Sequence, residues 1–163
     1  MRLLVAAGLS VLALSACNRD NGKEPTPPPG ADPAMTLGGV DLAGPVRALG
    51  TEPFWSVTIR SEGLLYEGLD RPEQRAANPG PQIAGTTAVW TTTTDQNLPL
   101  VVTITETDCS DGMSDRTYPL TARVQIGQET LMGCAASVDF LENTDEQGQP
   151  KAETPATPEP TAE

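Results

Sequence analysis

The chain contains no histidine. That removes the commonest general base and the commonest metal ligand together. Neither a Ser-His-Asp nor a Cys-His triad can be assembled within it. Basic residues are also scarce. Ten Lys and Arg stand against 22 Asp and Glu in 163 residues, a formal net charge of −12. Such a chain repels phosphate backbones, so nucleic acid is excluded as an expected partner. A cationic protein or a metal ion would be attracted, although solubility alone accounts for the charge. Cysteine occurs three times only, at Cys17, Cys109 and Cys134. No apolar run is long enough to span a bilayer as a helix: the longest, from Leu3 to Leu14, has about a dozen residues against the ~20 required.

That run reads instead as the core of a secretory signal over residues 1–16, with Arg2 as its positive flank. It ends in Leu14-Ser15-Ala16-Cys17, which resembles the lipobox of bacterial lipoproteins. The resemblance implies cleavage before Cys17, acylation of its thiol and of the new amine, and attachment to the membrane by lipid. Several acyl chains on one residue anchor far more firmly than one. Asn18 follows the cysteine where an Asp would favour retention at the inner membrane, so the expected site is the outer membrane, facing the periplasm. Without residues 1–16 the side chains carry −13, because Arg2 is lost and no acid is.

Residues 17–45 hold the lipidated Cys17 and then six prolines, five of them before Met35, and read as a tether in extended, partly polyproline conformations. Leu37, Val40 and Leu42 near its end are apolar enough to pack at the start of the fold. The expected domain is residues 46–141, about 95 residues, small enough that a covalent staple would matter. Residues 142–163 contain Pro, Thr, Glu, Ala, Gln and Lys without aromatic or branched aliphatic side chains. They cannot bury enough apolar area to offset their ordering entropy, and a disordered acidic tail is expected.

Within the domain the dominant period is two. Trp55, Val57 and Ile59 alternate with Ser56, Thr58 and Arg60. Further strands are expected over residues 63–68, 85–94, 100–106, 118–126 and 129–135. Gly127-Gln128 reads as a type II′ turn between the last two. Residues 69–84 read as a long polar loop, in which residues 72–77 suit a helical turn. The fold class expected is all-β: a small antiparallel barrel or sandwich of about six strands with one disulfide.

Cys109 and Cys134 form an even pair in a chain directed to an oxidising compartment, and a bridge between them is expected. Its loop closure is worth roughly 3–4 kcal/mol in the chain-entropy picture. The alternative, two thiolates holding a metal, lacks the further ligands a zinc site needs. The expected metal and cofactor complement is none.

Two segments carry a resemblance. Gly50-Thr-Glu-Pro-Phe-Trp55, and Cys109-Ser-Asp-Gly-Met-Ser-Asp-Arg-Thr-Tyr-Pro119 followed by Gly133-Cys134-Ala135, resemble an uncharacterised family of proteobacterial envelope proteins and lipoproteins. The family pattern begins N-E-P-F-W, and Thr51 stands here where Asn is usual. The resemblance spans about residues 47–136 and implies an envelope location without an established activity. Small β lipoproteins that inhibit c-type lysozyme are a more distant comparison. The Ser-Gly loop pattern of those inhibitors is absent, so their activity is not carried over.

The candidate binding surface drawn from these segments is Glu52, Phe54, Trp55, Asp111, Met113, Asp115, Arg116 and Tyr118. Each has a plainer reading. Asp108, Asp111 and Asp115 match no EF-hand spacing and suit a solvated turn better than a calcium cage. Arg116 suits an ion pair with Asp111 or Asp115. Glu52 suits a turn, and Trp55 and Trp90 suit the core. Ser110 and Ser114 have no base to activate them. The function expected is therefore a non-enzymatic envelope module that binds a protein or small ligand and touches the membrane only through its N-terminal lipid. The alternatives are an inhibitor of a cationic cell-wall hydrolase, suggested by the charge, and an enzyme working through carboxylates, for which no spacing argues.

Overall fold

A computed structural model describes residues 35–151. The expectations for the signal segment, Cys17, the tether up to residue 34 and the tail beyond residue 151 lie outside the described residues. Strands β1 (Thr36–Leu37) and β2 (Val40–Asp41) form a small hairpin. β3 (Val46–Thr51), β4 (Phe54–Arg60), β5 (Gly63–Gly68) and β6 (Gln74–Ala76) follow as one meander. β7 (Gln82–Ala84), β8 (Thr87–Thr93), β9 (Pro99–Thr105), β10 (Leu120–Ile126) and β11 (Glu129–Ser137) form a second. Helix α1 (Val138–Asn143) comes last.

The two meanders join where the first strand of one meets the last of the other. β11 pairs with β3, giving a nine-stranded antiparallel sheet in the order β6-β5-β4-β3-β11-β10-β9-β8-β7. The sheet curls until its flanks approach. Ala76 bridges Thr94, and the Asp95 N–H donates to the Arg75 carbonyl at 2.7 Å. The expected all-β fold with one disulfide is thus observed, with three more strands in the sheet than the alternation predicts.

Alternation explains the core. β10 buries Leu120, Ala122, Val124 and Ile126 and turns Thr121, Arg123 and Gln125 outward. Val46, Ala48, Val57, Ile59, Leu64, Tyr66, Trp90, Leu100, Val102 and Ile104 fill the same interior. Gly127 has φ +60°, while no positive φ occurs at Gln128, as the expected type II′ hairpin requires.

Three expectations need correction. The domain begins before Val46. Gly38 and Gly39, at φ +54° and +76°, make the tight turn between β1 and β2, and Leu37, Val40 and Leu42 cover one end of the core. Residues 69–84 are not an unbroken loop, and residues 72–77 are not helical. β6 lies extended against β5 because pairing leaves Gln74 inward and Arg75 outward, and β7 pairs with the start of β8. The order also passes residue 141. Ser137 caps α1 by accepting from the Phe140 N–H at 3.1 Å, and the turn after it is held by the Asp145 carboxylate, which accepts from Gln147 and Gln149. Among the described residues no helix is long and apolar enough to cross a membrane.

Candidate functional site

The two sequence segments singled out above meet on the outer wall of the sheet. Cys109 and Cys134 are bonded, their Cα atoms 5.5 Å apart, which fastens the start of the 109–118 loop to β11. The alternative of free metal-binding thiols is thereby removed. A bridge between Cys109 and Tyr118 closes the loop at its base. The Thr51 hydroxyl then donates to the Asp111 carbonyl at 3.2 Å and ties the loop to the end of β3.

Asp111 organises this loop. One carboxylate oxygen accepts from the Met113 N–H at 2.9 Å and the Ser114 N–H at 2.8 Å. The other accepts from the Ser114 hydroxyl at 2.9 Å and the Tyr118 hydroxyl at 2.7 Å. Burial opposes the charged carboxylate, but these four donors outweigh it and hold the group down at about 2. Tyr118 is pushed up, first by burial and then by the same hydrogen bond and charge. Gly112, at φ +73°, lets the chain reverse between Asp111 and Met113.

Arg116 does not pair with a carboxylate of its own loop, as the sequence suggested. Its guanidinium donates to the Thr144 and Asp145 carbonyls at 2.8 Å each and lies 5.8 Å from the Tyr118 ring centre. Two successive backbone carbonyls just past the end of α1 offer a planar donor fork better geometry than a neighbouring side chain. Tyr118 packs with Cys134 and Ala136 in a second apolar cluster outside the sheet, supported by Leu49, Phe140 and Leu141.

The candidate residues therefore divide. Asp111, Arg116, Trp55 and Tyr118 are structural supports; Trp55 and Tyr118 are 4% and 3% exposed. The Trp55 indole lies so close over Gly50 and Gly133 that a Cβ on Gly50 would come within 2.3 Å of Nε1. Glu52, Asp115, Phe54 and Met113 are exposed, the last two by 51% and 69%. Asp108, Asp111 and Asp115 do not assemble a cage: among the described residues no group of three or more candidate ligands stands close enough to hold a metal.

Two residues outside the sequence-derived set complete the surface. Leu69 is 81% exposed and Met132 64%. Register aligns them. Thr51 is opposite Phe54, and Leu69 follows by donating its N–H to the Phe54 carbonyl. Continuing the β3–β11 register places Met132 beside Thr51. Met132, Thr51, Phe54 and Leu69 thus form one row across four neighbouring chain segments, and the loop bearing Met113 is tied to Thr51. The exposed large apolar side chains of the described residues are these four, Phe54, Leu69, Met113 and Met132. They flank two connected grooves of about 550 and 510 Å³ that share Leu49, Gly50 and Thr51. Met132 could have been anticipated from the outward phase of β11; Leu69, just past β5, had no such signal.

No protein-family model, curated protein or solved structure matches this chain. The class defined here is accordingly geometric: a curled antiparallel sheet with a disulfide-fastened loop on its outer wall.

Proposed function

We propose that this chain is a lipid-anchored envelope protein whose domain is a non-enzymatic binding module for a protein partner. The observation that carries the reading is the convergence of the four exposed large apolar side chains on one stretch of wall. Contiguous apolar exposure of this kind marks interaction surfaces, whereas single exposed apolar residues need no explanation. The supports beneath it are rigid: a disulfide, a saturated carboxylate and an indole seated on two glycines. Rigid support lowers the ordering cost of association. The lipid at Cys17 and the outer-membrane location belong to the same reading and rest on the lipobox sequence.

Site-specific photocrosslinking in intact cells tests this. A photoreactive residue at Leu69 or Met113 is expected to give a discrete protein adduct that the same residue at exposed Thr91, on β8, does not give. No adduct from the wall, or the same adducts from Thr91, would count against a binding module at this surface.

A further inference from the structure

The partner's chemistry can be read from the stripe and its surroundings, taking the binding module above as the starting point. We propose that the stripe Met132–Thr51–Phe54–Leu69 receives a basic amphipathic helix of another protein, with Met113 closing over one side.

Spacing is the first argument. Neighbouring strands lie about 4.8 Å apart, so four positions span roughly 14 Å. Successive turns of a helix recur at about 5.4 Å, and a helix of about ten residues is 15 Å long. Apolar side chains on one face of such a helix meet the stripe position by position. An extended segment repeats a given face at about 6.8 Å and falls out of step within two positions.

Charge is the second argument. Glu52 and Glu67 are exposed beside the stripe, and among the described residues neither has an ion-pair partner. Of the cations nearby, Arg71 is ion-paired with Asp70 and Glu129, while Arg47 and Arg123 donate only to the hydroxyls of Thr58 at 2.9 Å and Thr130 at 3.5 Å and keep their charge, set against 22 acidic side chains in the whole chain. A second copy, itself at −13 once residues 1–16 are removed, is disfavoured, as is an anionic lipid surface. Residues 152–163 carry only acidic charges and meet the same repulsion. Lys or Arg flanking an apolar helix face would complement Glu52 and Glu67. Exposed methionines suit such a face because their unbranched side chains adapt to varied apolar shapes.

The test uses the full lipidated chain in neutral phosphatidylcholine nanodiscs and a dye-labelled helical peptide of leucine and lysine in amphipathic order. Anisotropy is expected to show binding by this probe, and none by its glutamate counterpart or by a permuted, non-amphipathic peptide of equal composition. Phe54→Ser with Leu69→Ser should weaken binding about tenfold, and Glu52→Gln with Glu67→Gln several-fold at low salt. All four positions are exposed, and unchanged thermal unfolding of each variant is the check that the fold persists. Equal binding of the permuted peptide, no loss in the apolar pair, or equal uptake by empty discs would overturn the proposal, the last by assigning the probe to lipid. If wall-specific crosslinks persist while the peptide fails, this inference falls and the binding-module reading stands; if the crosslinks are absent, the reading itself falls.

Discussion

Asp111 shows how one side chain can resemble a site and serve as a scaffold. Its four donors lower the folded-state carboxyl to about 2, below its ordinary value near 3.8. A depressed carboxyl contributes stability that is fully present above the unfolded value and is lost as pH falls through the folded one. Allowing for solvent around a partly exposed group, the contribution is about 1–2 kcal/mol. Asp111→Asn should therefore lower stability by about that amount at pH 7, measured by urea unfolding, and the gap between the two proteins should narrow from pH 4 towards pH 2. A pH-independent gap would mean that shape and not charge is what Asp111 supplies. Gly133 gives a second expectation at this scale. A Cβ there would sit 1.9 Å from the Leu49 carbonyl oxygen, and backbone cannot step aside as a flexible side chain can. Gly133→Ala should cost about 3 kcal/mol, the upper part of the overpacking range, read from the same unfolding curves. The sequence marks Asp111, Met113, Arg116 and Tyr118 as unusual together but does not say which face outward. That depends on Thr51, Thr144 and Asp145, which are 60, 28 and 29 residues distant from their partners.

At the scale of elements, legibility follows length. β9 and β10 alternate over all seven of their residues, and that periodicity is visible without a structure. β6 and β7 have three residues each, and β1 and β2 two, too few for a period to appear. They form because neighbouring strands and the approach of the sheet's flanks leave backbone groups to pair. The β1–β2 hairpin matters more than its size suggests. Burying Leu37, Val40 and Leu42 contributes roughly 1.5–3 kcal/mol each, a large part of the 5–15 kcal/mol typical of a domain. A chain shortened to begin at Val46 should lose several kcal/mol or fail to fold, whereas one beginning at Met35 should match the full chain in its urea midpoint. Equal midpoints for both shortened chains would return the hairpin to the tether. The disulfide behaves differently. Replacing Cys109 and Cys134 by Ser should cost about 3–4 kcal/mol. The β10–β11 pairing continues on either side of Thr121↔Cys134, so the sheet's circular-dichroism signature should persist.

For the molecule as a whole, the useful property is polarity from end to end. The N-terminal side enters at the β1–β2 hairpin, and β3 begins beside it at Val46 and ends at Thr51 in the apolar stripe. Five residue steps along a strand are about 17 Å. The stripe therefore lies towards the end of the sheet away from the point where the chain arrives. If Cys17 carries lipid, seventeen residues separate it from Met35, a reach of up to about 60 Å when extended. The anchored domain would then present the stripe away from its own membrane, to a partner standing in the periplasm. Reach and orientation make separable demands. Removing residues 20–31 leaves five residues and about 17 Å of reach, while every contact within residues 35–151 is retained. The urea midpoint should not change, but the crosslinks formed from Leu69 and Met113 in intact cells should fall several-fold. Crosslinking at full strength with the shortened tether would place the partner at the membrane surface and would contradict the outward orientation derived from β3.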